Sequence, residues 1–228
     1  MPVSNVISFI CGKTGCGKSF LLNYLIHKEY FLKRRQGIVV LDFRGDHLNL
    51  LKQKEFKYLR ISGNILNNYN IDWVNVLQEY PYLIVEPWKL TQAEYQELGN
   101  QIALGIVEVQ NRVFFLEEAQ LCFSVYDSIK RGFGILTTTG RKIGIDFYFT
   151  SQRPGIVNST AVSQANVRVA FTLDDVNDIS RMRGHFPPEI DLTKLRRFEF
   201  VGYNVFSHKQ IVSNTSDLKK IDEIIWGQ

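Results

Sequence analysis

The sequence has little that would tie it to a membrane, a secretory route or a disulfide framework. No apolar run approaches the roughly 20 residues needed to cross a bilayer, and the first residues lack a basic segment followed by an apolar stretch and a small-residue cleavage site. Three cysteines, Cys11, Cys16 and Cys122, are a poor basis for a disulfide scaffold, so reduced thiols in a cytosol-like compartment are expected. Internal repeats, low-complexity tracts and Pro/Gly/Ser-rich linkers are also missing, which predicts one domain across residues 1–228. The charge is nearly balanced. A formal net charge of +4 and a pI near 8.9 permit a polyanionic partner without demanding one. Lys33-Arg34-Arg35, Lys52 with Lys54 and Lys57, Lys130-Arg131, Arg141-Lys142 and Arg196-Arg197 each read first as solvated helix faces.

What is present is enough apolar material for a sizeable core, 45% of the chain, arranged with a clear period. Val6–Cys11, Ile38–Phe43, Val113–Leu116, Ile145–Thr150 and Val167–Thr172 are continuous apolar runs rather than alternating ones, the pattern of strands buried on both faces. Helical stretches fall between them at Phe20–Phe31, Thr91–Val109 and Asp174–Met182. Further strands are expected at Phe56–Ile61 and Tyr82–Val85, and a hairpin from Phe198–Val205 and Lys209–Ser213 with a short closing helix. The fold class is α/β: a mostly parallel central sheet with helices on both faces.

The first strand runs into Gly12-Lys13-Thr14-Gly15-Cys16-Gly17-Lys18-Ser19, and a helix follows. The glycines admit backbone angles closed to other residues, so successive N–H groups can turn toward phosphate oxygens, and the helix adds its positive end. Lys18 is placed to neutralise the β- and γ-phosphates of ATP and Ser19 to offer its hydroxyl to Mg²⁺. Cys16 needs only to be small, although its place in the loop is one that thiol reagents could reach.

Val113-Phe114-Phe115-Leu116-Glu117-Glu118 is a buried strand that ends in two acids, which sets them at the carboxyl edge of the sheet, where ligands of open α/β folds bind. Glu117 would hold Mg²⁺ through water, and Glu118 would polarise the attacking water. The pair could instead serve a helix N-terminus through the dipole, but the phosphate loop upstream favours catalysis. The strand ending Phe149-Thr150 is followed by Ser151-Gln152-Arg153-Pro154. Gln152 there can sense the γ-phosphate or orient water, or simply satisfy nearby backbone groups.

Taken in order, the glycine loop, Val39-Val40-Leu41-Asp42-Phe43-Arg44-Gly45-Asp46, Phe114-Phe115-Leu116-Glu117-Glu118-Ala119-Gln120 and Phe149-Thr150-Ser151-Gln152-Arg153-Pro154 resemble the HerA–FtsK superfamily of ring ATPases. The likeness runs from about residue 6 to about 185, leaving a hairpin and helix in 186–228. It implies a RecA-like (ASCE) P-loop NTPase and adds Asp42 to the nucleotide-binding set. The Walker B acid, usually aspartate, is Glu117 here, one methylene longer. The resemblance further implies a homo-oligomeric ring, a hexamer, with ATP between subunits and an arginine supplied in trans. Arg141 matches that finger by position, ahead of Arg153, Arg168 and Arg131, although a cation at a helix end is also favoured by the dipole.

The chain starts close to its first strand, and it is expected to be a stripped-down motor without the added domains of HerA-like helicases or FtsK. In size it is similar to the genome-packaging ATPases of membrane-containing icosahedral DNA viruses. Double-stranded DNA is then the expected partner, with a capsid or membrane-protein vertex as a docking point, in the host cytoplasm and the virion. A motor for protein export or virion assembly of the Zot type is the alternative. A small nucleotide kinase fits less well, because such enzymes lack an activating glutamate beside the Walker B acid.

Overall fold

Strands buried on both faces need apolar side chains at nearly every position, and the continuous runs meet that need. The computed structural model describes residues 5–227. Every residue of β1 (Ile7–Cys11), β2 (Ile38–Leu41), β5 (Val113–Leu116) and β6 (Asp146–Ser151) is buried. With β3 (Lys57–Ser62), β4 (Tyr82–Trp88), β7 (Val167–Phe171), β8 (Glu199–Asn204) and β9 (Gln210–Asn214) they form one nine-stranded sheet in the order β3-β4-β2-β5-β6-β1-β7-β8-β9. β1 to β7 run parallel, while β8 and β9 form the expected antiparallel hairpin at one margin.

Helices cover both faces. On one side α1 (Lys18–Leu32) and α8 (Ile221–Ile225) bury Leu21, Leu25, Ile221 and Ile224 against Ile10, Val40 and Phe115. On the other, α3 (Trp73–Glu79), α4 (Gln92–Val109) and α5 (Arg131–Thr138) pack Trp73, Ile102 and Phe133 against Phe9, Phe114 and Phe147. Thr91 opens α4 with a full capping box, its side chain accepting from the Glu94 N–H while Glu94 reaches back.

Four helices were not expected from the sequence: α2 (Gly63–Asn68), α3, α5 and α6 (Ser159–Gln164). The stretches of α2, α5 and α6 are rich in Gly, Asn, Ser and Thr, weak helix formers, and all four are short. Caps hold several of them, Ser62 accepting from the Ile65 N–H, Asp72 from Asn75 and Asn158 from Thr160. The expected helix at Asp174 begins later, as α7 (Val176–Arg183), because Asp175 is its N-cap.

The basic cluster at the end of α1 is not a solvated face. Arg34 bonds Glu29 at 2.7 Å and Asp146 at 3.0 Å, and Arg35 meets Asp146 at 2.7 Å, with both guanidinium side chains about 10% exposed. The Asp146 carboxylate also accepts the Val6 N–H at 2.7 Å. One buried carboxylate thus ties the start of β6 to the start of β1 and to the segment after α1. Asp146→Ala should lower unfolding stability by about 3–5 kcal/mol in urea titration, because two buried guanidinium groups lose a counter-charge. A loss below about 1 kcal/mol would show that the cluster is not a structural anchor.

Candidate active site

β1 delivers the chain to the carboxyl edge of the sheet, and the loop turns there at once. Gly12 has φ 152°, and a Cβ on it would lie 2.6 Å from the Phe171 Cβ and 2.8 Å from the Cys16 sulfur. Gly17 has φ 114° and caps α1, where a Cβ would meet Thr215 at 2.7 Å. Only glycine combines those angles with that closeness. The first turn of α1 carries no side-chain cap and no acid, so its positive end is left for a ligand anion. Lys18 is buried, and its ammonium donates to the carbonyls of Gly12 at 2.7 Å and Lys13 at 2.9 Å. Burial lowers its pKa, partly offset by the negative charge it faces. Cys16 is 1% exposed, and burial raises its thiol pKa. The expected reactivity toward thiol reagents is therefore not favoured by its surroundings.

The two acids have different surroundings. Glu117 meets His47 Nε2 at 3.1 Å through one oxygen, and His47 Nδ1 meets Asn23 at 2.8 Å. The other oxygen, Oε2, is buried without a partner. Burial raises the Glu117 pKa against the opposing pull of His47. For His47 burial opposes the charged ring, but the hydrogen bond to Glu117 and the charges of Asp42 and Asp46 outweigh it and raise its pKa. Glu117 lines the same cavity as Ser19, and a carboxylate with one oxygen that accepts from nothing in the protein fits a hydrated cation. Ser19 and Glu117 are thus the residues that would hold Mg²⁺, which when bound offsets charge on the β- and γ-phosphates.

Asp42 has no place in the cavity lining. It is fully buried and accepts backbone N–H groups from Arg44, Asp46 and His47 at 3.3, 3.0 and 2.9 Å. Its carboxylate folds the loop that presents Asp46 to the Ser19 hydroxyl at 3.1 Å. Asp42 is thereby linked to the phosphate loop through Asp46 and Ser19. Asp42, His47 and Glu117 offer ligand atoms within 4.8 Å of one another, but with these bonds they form a polar network.

Glu118 sits in the left-handed region at φ 52°, an uncommon state for a residue with a Cβ and one that clusters at functional sites. Its carboxylate accepts from the amides of Gln152 and Gln120, the latter at 2.5 Å, and pairs with Arg44 at 3.3 Å. The Gln152 carbonyl in turn accepts from the Thr14 hydroxyl. β6 lies between β1 and β5, so Gln152 at its end spans the gap from phosphate loop to acid. Thr14, Lys18, Ser19, Glu117, Glu118 and Gln152 share a cavity of about 240 Å³. A water held beside Glu118 and Gln152 there would face the terminal phosphate of a nucleotide seated on the loop.

The arginines separate by their surroundings. Arg153 leans on Asp178 at 3.4 Å, and Arg168 donates to the carbonyls of His185 and Ser163 at 3.0 and 3.1 Å. Arg131 is exposed at the start of α5. Arg141 lies in a 3₁₀ turn just before β6, at the edge of the sheet opposite the phosphate loop. Its guanidinium lies over the exposed Phe206 ring at 5.1 Å, and it cannot reach the phosphates of its own chain. Arg44 and His47 were not singled out from the sequence, although both lie within five residues of Asp42. Only the register of that loop against Glu117 and Glu118 reveals them.

Residues 8–119 match the family model of the central domain of helicase HerA. The chain is similar in structure to the genome packaging NTPase B204 of Sulfolobus turreted icosahedral virus 2 in complex with sulfate, at 16% identity and TM-score 0.70 over 92% of this chain and 96% of that one. It is also similar to VirB4 of Thermoanaerobacter pseudethanolicus, at 11% identity and TM-score 0.65 over 91% and 88%. The bacterial conjugative coupling protein TrwB shares the fold at 10% identity and TM-score 0.64 over 91% and 83%. No curated protein sequence matches the chain. The fold is that of the RecA-like P-loop ATPases.

The two acids should separate on substitution. Glu118→Gln is expected to bind Mg-ATP with nearly native affinity and to hydrolyse it at least about 100-fold more slowly, the scale of a lost general base. Glu117→Gln should also weaken the magnesium dependence of binding. Equal loss of binding in both variants, in calorimetry with and without Mg²⁺, would contradict this division.

Proposed function

We propose that this chain, whose nucleotide-binding core matches the HerA central domain, is an ATPase that moves double-stranded DNA and packages a viral genome into a capsid. The observation that carries the hydrolytic part is the bridge from Thr14 through Gln152 to Glu118. It joins the phosphate loop to an acid that can polarise water. Lys18 leaves the Gly12 and Lys13 carbonyls for the β- and γ-phosphates as ATP enters, and Glu118 draws the proton of the attacking water. The DNA part is supported by the HerA match and by likeness of fold to a protein described as a genome packaging NTPase.

The active form in this proposal is a homo-oligomeric ring, a hexamer, with ATP at each subunit boundary. Arg141 lies far from its own phosphate loop and suits a neighbour's site, where a cation would stabilise charge on the transferring phosphoryl group. A ring repeats each basic residue by symmetry, so a modest net charge of +4 is sufficient to hold a duplex. Among the described residues no helix is long and apolar enough to cross a membrane. The host cytoplasm, with docking at a capsid or membrane-protein vertex, is the proposed setting.

Duplex DNA should raise the ATPase rate, and the stimulation should fade between about 50 and 200 mM salt as phosphate contacts release counterions. No stimulation at low salt in an assembled ring would point instead to a motor for protein export or virion assembly.

The trans arginine has its own test. Arg141→Ala and Lys18→Ala should each be inactive alone. Mixed rings should regain activity at interfaces that pair a whole phosphate loop with an intact arginine. Verified mixed rings without any rescue would remove Arg141 from this role.

A further inference from the structure

The cavity has a second end that the chemistry above does not use. Glu118 and Gln152 stand at the tips of β5 and β6, on one side of the phosphate loop. Across the sheet the order continues from β1 through β7 to β8. The cavity lining runs the same way, from Glu118 past Lys18 to Phe198 beside β8, so a triphosphate whose terminal group faces Glu118 would extend toward β8. From β5 to β8 is four strand spacings, about 19 Å, on the order of an extended nucleoside triphosphate.

At that far end stands Phe198. It occupies a tight turn in which the Glu199 N–H donates to the Arg196 carbonyl at 3.0 Å, and it holds φ 71°, the left-handed region where such turns favour glycine. A bulky ring there is uncommon and signals a constraint other than the turn itself. The residue is 40% exposed and lines the same cavity as Lys18 and Ser19. The Arg197 guanidinium lies over its ring at 4.6 Å and also reaches the Gly15 carbonyl at 3.5 Å. A Cβ on Gly17 would come within 3.5 Å of the Phe198 ring, so the ring stands against the start of α1. Phe20, 60% exposed on the first turn of α1, borders the cavity as well.

We infer that Phe198 is a stacking platform for the nucleobase, backed by Arg197. The inference rests on the reading of the loop as a triphosphate site and adds where the base goes. A π face accepts any base, so the platform contributes affinity for nucleotides over bare phosphates rather than selection among bases.

The test measures binding of AMPPCP and of inorganic tripolyphosphate, both with Mg²⁺, by calorimetry. Phe198→Ala and Phe198→Leu, the second keeping an apolar side chain against the loop, should each weaken AMPPCP about tenfold, the scale of one lost stacking contact. Tripolyphosphate affinity should stay within twofold, and Phe198→Trp should restore AMPPCP. Equal losses for both ligands would overturn the inference, because Phe198 would then only prop the loop. Unchanged AMPPCP binding in both variants would overturn it too. Tripolyphosphate binding that survives Lys18→Ala would overturn the triphosphate reading itself, and the platform with it.

Discussion

The parallel pairing of β6 with both β1 and β5 is the constraint on which the site depends. Register along those two ladders decides that the glycine loop, Gln152 and the two acids leave the sheet at the same height. The strand is fastened at its far end by Asp146, whose charge is met by two arginines, and at its near end by the Gln152 amide. Polar anchors at both ends of an apolar strand leave it one register, because a slip by one residue would bury the wrong groups.

Much of this was legible in the residues. Continuous apolar runs announced the buried strands, and the glycine spacing announced the loop, because both follow from local rules. The sheet order and the neighbours of each acid are non-local, and they were not readable. Asp42 shows the difference: its position after a strand is visible in the sequence, but its three backbone hydrogen bonds are not. Arg34 and Arg35 misled for the same reason, since a run of basic residues looks solvated until Glu29 and Asp146 are seen beneath it. The short helices escaped because caps and packing, rather than propensity, hold them.

The site is closed on itself. Lys18 is bound to the carbonyls of its own loop, Glu118 to two amides and an arginine, and Ser19 to Asp46. Each of these bonds joins groups that a nucleotide with its metal would claim. Glu117 Oε2 is different, because it is buried with no bond to exchange. The acids are thereby graded: both oxygens of Glu118 are bonded within the protein, whereas Glu117 has one oxygen on His47 and one without a partner.

The β8–β9 hairpin touches the molecule at two distant places. Its open end sets Phe198 and Thr215 against Gly17, and its turn sets Phe206 under Arg141 at the other edge of the sheet. Strands hydrogen-bonded along their length are stiff, so the hairpin works as a beam with both ends loaded. A change at its open end bears on the phosphate loop, and one at its turn bears on the Arg141 face. For labelling or immobilising this protein, the ends of the hairpin are the wrong handle, and the exposed side chains of Lys52, Lys54 and Lys57 at the opposite margin are the better one.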